Sequence, residues 1–121
     1  MGQVDTVSAV EPMIYRVPPE KVGVILKKIP GYGLIGVDVE NEASLMDDML
    51  TSEEDRMRYA REKVTENGAD SAIFLVKDDT GTLVIKIGNV VTIRMRIREH
   101  RRFLNDLGLR REGDGADKTG C

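Results

Sequence analysis

Residues 90–98 read VVTIRMRIR, and the way this run is wound decides the architecture of the chain. As a strand, it puts Val91, Ile93, Met95 and Ile97 on one face and Thr92, Arg94, Arg96 and Arg98 on the other, because successive strand side chains point to opposite sides. As a helix, it would align Val90, Ile93, Ile97, His100, Leu104 and Leu107 at steps of three and four. The strand reading prevails over residues 90–96. A helix would turn Met95 away from the apolar stripe, and the run Val90, Val91, Thr92, Ile93 is β-branched and loses side-chain freedom in a helix. From about Arg98 the helical spacing takes over: His100, Phe103, Leu104 and Leu107 share a face, and Gly108 ends it.

The neighbouring segments extend this reading. Gly88-Asn89 stands between two β-branched runs, a two-residue hairpin signal, so residues 82–87 are predicted to be an antiparallel partner. Asp78-Asp79-Thr80-Gly81 is a turn by composition. Residues 71–77 are apolar on both faces through Ile73, Phe74, Leu75 and Val76, as suits an interior strand. The main helix is predicted over residues 51–67. Thr51 and Glu54 have capping-box spacing, Glu53, Glu54 and Asp55 suit the positive end of the helix dipole, and Gly68 supplies the stop. Its apolar stripe of Met57, Ala60 and Val64 is thin, so most of its circumference should be wet.

Further upstream, Leu45, Met46, Met49 and Leu50 predict a short helical turn. Residues 34–40 read as a strand with Ile35, Val37 and Val39 on one face and Gly36, Asp38 and Glu40 on the other. Pro18-Pro19 opens, and Pro30-Gly31 closes, an amphipathic helix over residues 19–29, carried by Val22, Ile25, Leu26 and Ile29. Residues 13–17 read as a short strand. The sum is a single α+β domain over residues 13–108: an antiparallel sheet of about four or five strands, with two main helices and a short C-terminal helix packed on one face. A poorly ordered segment is expected over residues 1–12 and a disordered tail over residues 109–121.

The run over residues 60–76, AREKVTENGADSAIFLV, resembles the corresponding stretch of the YbjQ-like family of small oligomeric α+β proteins. It covers about a seventh of the 121 residues, its helix–glycine–strand pattern is common to such transitions, and it assigns no functional residue.

Charge is unevenly distributed. The net charge is −3, yet residues 86–111 hold eight bases against two acids, while residues 1–60 hold eleven acids against six bases. A basic block inside an acidic chain matters more than the total. Three tyrosines, two phenylalanines and no tryptophan argue against a base-stacking platform for single-stranded nucleic acid. The one cysteine, Cys121, has no internal partner for a disulfide or a metal site. No apolar run is long enough to span a bilayer and no signal peptide is recognisable, so a cytoplasmic setting is expected, with no membrane contact.

Four groups of residues invite a functional reading. Gly31, Gly33 and Gly36 have dinucleotide-binding spacing, but in the wrong context. That motif needs a strand before it and a helix after it, and here the order is reversed, so a tight helix-to-strand turn is expected. Asp38, Glu40, Asp47 and Asp48 are clustered carboxylates of the kind that hold a hard cation, although they follow no calcium-loop spacing. His100, the only histidine, is expected to be a packed residue with one satisfied nitrogen; no nucleophile motif or second metal ligand accompanies it. The arginine row is the strongest candidate. Arg94, Arg96 and Arg98, with Lys86 across the hairpin and Arg101 and Arg102 on the next helix, offer planar forks of donors suited to carboxylate and phosphate. Either this group meets an anionic partner, or it is neutralised by Glu53, Glu54, Glu62 or Glu66 of the acidic helix, or by water alone.

The leading expectation is therefore a non-enzymatic binding or regulatory domain that contacts an acidic protein surface or nucleic acid, with no cofactor. The alternatives are a small cation-dependent protein or enzyme using the acidic cluster, and a structural homo-oligomer paired through a sheet edge.

Overall fold

The computed structural model describes residues 13–42 and 51–109. The chain runs through β1 (Met13–Arg16), α1 (Val22–Lys28), β2 (Leu34–Asn41), α2 (Glu53–Asn67), β3 (Ser71–Lys77), β4 (Thr80–Ile87), β5 (Val91–Ile97) and α3 (His100–Leu107). Single turns of 3-10 helix, Pro19–Lys21 and Ile29–Tyr32, flank α1. The five strands form one antiparallel sheet in the order β1-β3-β4-β5-β2. The expected α+β architecture is the one observed, and residues 90–97 are strand, not helix. The predicted helical turn over residues 45–50, the N-terminal segment and the C-terminal tail lie outside the described residues.

The alternation of the sheet determines where the core sits. Phe74, Leu83, Ile85, Ile93, Met95 and Ile97 are fully buried on one face, each worth about 1.5–3 kcal/mol relative to exposure. Their strand neighbours Ile73, Leu75, Val84 and Thr92 are only half-buried, and Lys86, Arg94 and Arg96 are exposed. The helices therefore cover only one face, because α1 adds Val22, Ile25 and Leu26, α2 adds Met57 and Ala60, and α3 adds Phe103 to that same core. The wet circumference predicted for α2 is observed, since these two are its only buried residues.

Three local expectations are corrected. Ser52, not Thr51, caps α2: its side chain accepts from the Asp55 N–H at 3.0 Å, and Ser52-to-Asp55 has the same spacing one residue further on. The β3–β4 turn is only Asp78-Asp79, both with positive φ, and Thr80 already pairs with Lys77. A bulge between Leu34 and Gly36 resets the alternation of β2. Leu34 faces Ile97, Gly36 faces Arg96, and the extra residue, Ile35, is turned out at 39% exposure rather than joining Val37. The Gly88-Asn89 turn forms as expected, with both residues at positive φ, and Val90 N–H reaches the Ile87 carbonyl at 3.3 Å.

Gly23 occupies a helical position in α1 where an added methyl would meet nothing within 4 Å. Gly23→Ala is expected to raise stability by about 0.5–1 kcal/mol, through lower unfolded-chain entropy and higher helix propensity. The midpoint of urea unfolding measures it.

Candidate partner-binding surface

The arginine row and half of the acidic cluster belong to one site. β2 lies beside β5, and the pairing sets Asp38 opposite Arg94, Glu40 opposite Thr92 and Gly36 opposite Arg96. Directly opposed residues share a face, so Asp38 and Glu40 stand on the same face as the guanidinium groups, a face that the described helices leave uncovered. The ion pairs run diagonally. Arg94 Nη1 donates to Glu40 Oε1 at 3.1 Å, and Arg96 Nη2 lies 4.0 Å from Asp38 Oδ2. The charges that meet the arginines come from the adjacent strand, not from Glu53, Glu54, Glu62 or Glu66 of α2; of these, Glu66 pairs with Lys63.

The Arg96 guanidinium lies across Gly36, and a Cβ at this position would require the flexible end of that arginine to move aside. Beside the arginines, Lys86 pairs with Thr92 across the β4–β5 hairpin and stays exposed on the same face. Towards β1 the surface becomes apolar: Val84 opposes Ile73, and Leu75 opposes Ile14. The face thus grades from acidic at the β2 edge, through arginine on β5, to half-buried aliphatic groups on β4, β3 and β1.

The rest of the predicted group is dispersed. Arg98 is exposed just past β5, where its N–H donates to the Gly33 carbonyl at 3.0 Å. Arg101 and Arg102 lie on α3, on the helical side. Arg102 acts as an anchor: Nε donates to Glu99 Oε1 at 2.8 Å, Nη2 donates to the Gly31 carbonyl at 2.5 Å, and the guanidinium sits 4.5 Å from the Tyr32 ring centre. His100 is buried, with Nδ1 3.3 Å from the Arg98 carbonyl, as expected for a packed histidine. Gly31 and Gly33 form the helix-to-strand turn, with Gly33 at φ 76°, whereas Gly36 already lies in β2 opposite Arg96. Among the described residues no three His, Cys, Asp or Glu side chains are placed to hold a metal ion. Asp47, Asp48 and Cys121 lie outside those residues. No helix of the described residues is long and apolar enough to cross a membrane.

Sequence reasoning missed one polar link. The buried Tyr32 donates its hydroxyl proton to Asp106 Oδ2 at 2.7 Å, joining the 3-10 turn that precedes β2 to α3. The only signal was an isolated tyrosine in a Gly-Tyr-Gly turn. That hydrogen bond, then burial and the Asp106 charge, raise the Tyr32 pKa above its ordinary value of 10.0, with Arg102 opposing. A folded-state pKa above the unfolded one means that the contribution is fully present below pH 10 and is lost as pH rises through the folded value. An alkaline absorbance titration should therefore show a tyrosine component above pH 10, and Asp106→Asn should move it back towards 10.

Comparison with protein-family models, with curated proteins and with solved structures finds no match to this chain.

Proposed function

We propose that this chain is a non-enzymatic binding domain that docks an anionic protein segment on the uncovered face of its sheet. The observation that carries the reading is the grading of that face: Arg94, Arg96 and Lys86 stand beside half-buried Val84, Ile73 and Leu75, and the described helices leave it bare. Ion pairs between exposed side chains contribute only about 0–1 kcal/mol. Asp38 and Glu40 therefore hold the arginines extended at little cost to exchange, and a denser array of carboxylates can take their place.

An acidic polypeptide suits the surface better than nucleic acid does. The chain's net charge of −3 slows encounter with either polyanion, so the preference rests on what the face offers beside its cations. Tyr15 and Phe74 are paired on the core side of the sheet, so no aromatic side chain on the sheet's outer face is available to stack a base. Aliphatic groups beside the arginines favour a partner that alternates acidic and apolar residues.

Poly-L-glutamate and a single-stranded DNA oligonucleotide are suitable probes, titrated at low and high salt. The expected result is poly-glutamate binding that weakens steeply with salt and drops by about tenfold or more, about 1.4 kcal/mol, in the Arg94→Ala/Arg96→Ala variant. The thermal midpoint should move little, since both side chains are exposed. Binding that ignores both salt and these substitutions, or tighter binding of the oligonucleotide, overturns the reading.

A further inference from the structure

A second cleft lies on the helical side of the sheet, away from Arg94 and Arg96. It has a volume of about 410 Å³ and opens between α3, the inner face of β1 and β3, and the β3–β4 turn. A space of this size takes one small molecule rather than a folded partner. Its apolar lining is Met13, Val76 and Leu104, with the Tyr15 side chain beside them; Met13 is a large hydrophobic side chain left 38% exposed.

The polar lining is of two kinds. His100 is 8% exposed and lines the cleft. Its Nδ1 lies 3.3 Å from the Arg98 carbonyl. A carbonyl only accepts, so this contact assigns the hydrogen to Nδ1, and in a ring with a single proton Nε2 is then the acceptor. Nε2 has no hydrogen-bond partner among the described residues. Around it stand charges of both signs, with Asp78 and Asp79 in the turn and Lys77 and Arg101 beside them. None of these four forms an ion pair among the described residues, in contrast to Arg94, Arg96 and Arg102, each of which is engaged.

A ligand that satisfies this cleft needs a cationic donor for Nε2 and the aspartates, an anion for Arg101 and Lys77, and an apolar body for Met13, Val76 and Leu104. We propose that the cleft binds a free α-amino acid with an aliphatic side chain. The uncapped start of α3 at His100 adds a favourable field for the carboxylate. The lone histidine is then a ligand-sensing acceptor, which a purely packed histidine is not.

The test uses the full ¹⁵N-labelled chain followed by NMR. L-leucine, titrated to about 20 mM, should give saturable shifts confined to residues 76–79 and 100–104 and should move the His100 Nε2 resonance as that atom gains a donor. The half-ligands 4-methylpentanoate and isoamylamine should each bind about tenfold more weakly or worse. Arg101→Ala, and Asp78→Asn/Asp79→Asn, should also weaken leucine binding by about tenfold. Asparagine tolerates positive φ, so the turn is retained in the second variant. Absence of saturable shifts, a half-ligand that binds as tightly as leucine, or unchanged affinity in both variants overturns the proposal.

Discussion

Phe103→Ala is expected to lower stability by about 3–5 kcal/mol, the range for removing a fully buried aromatic ring. Phe103 has no exposed surface. Its ring packs tilted on Phe74, with centres 4.5 Å apart, and edge-on to Tyr32 at 5.3 Å and 89°. Such aromatic pairs add about 0.5–1.5 kcal/mol beyond the area they bury. The loss has a structural signature as well, because Phe103 is the fully buried apolar side chain by which α3 is seated on the sheet. Amide exchange should therefore rise over residues 100–107 before it rises in β4 or β5. Denaturant unfolding gives the magnitude and hydrogen exchange gives the location. A loss below about 1 kcal/mol, or exchange that rises uniformly, would show that α3 does not depend on this ring.

Gly81→Ala should cost about 1–3 kcal/mol, through overpacking rather than a cavity. Gly81 is buried in β4 on the core side. A Cβ there would collide with the Phe74 ring and stand 2.7 Å from the His100 Cβ. Its φ lies outside the positive range, so backbone strain plays no part, and the whole effect is steric. The sheet and α3 approach each other closely here because one residue has no side chain. Trimming the ring that the new methyl strikes should restore part of the loss, so Gly81→Ala/Phe74→Leu is expected to be less unstable than the two single changes summed. Strict additivity in a double-mutant cycle would remove the steric explanation.

The two predictions differ in how far the sequence anticipated them. Phe103 was visible as a core residue, because it shares a helical face with His100, Leu104 and Leu107. Gly81 reads as a turn residue by composition, and nothing in its sequence neighbours signals that Phe74, seven residues earlier, and His100, nineteen later, converge on it. The same division runs through the candidate surface. The spacing alone puts Arg94 and Arg96 together on one strand face, and Asp38 and Glu40 together on another. Their meeting depends on β2 lying beside β5, which is a long-range choice. Arg102 looked like a member of the basic group, but its charge is spent on Glu99, the Gly31 carbonyl and the Tyr32 ring.

By itself, the sequence determined what local physics controls. The two-residue period of β5, the β-branched run that keeps it out of a helix, the left-handed turn at Gly88-Asn89 and the glycine that ends α3 are all settled within a few residues of chain. Tertiary structure alone decided which strands are neighbours, because every antiparallel edge offers the same backbone donors and acceptors and the choice rests on the summed burial of distant side chains. From that choice follow the acids set beside the arginines, the Arg96 guanidinium lying across Gly36, and the cleft that brings His100 and Arg101 together with Asp78 and Asp79.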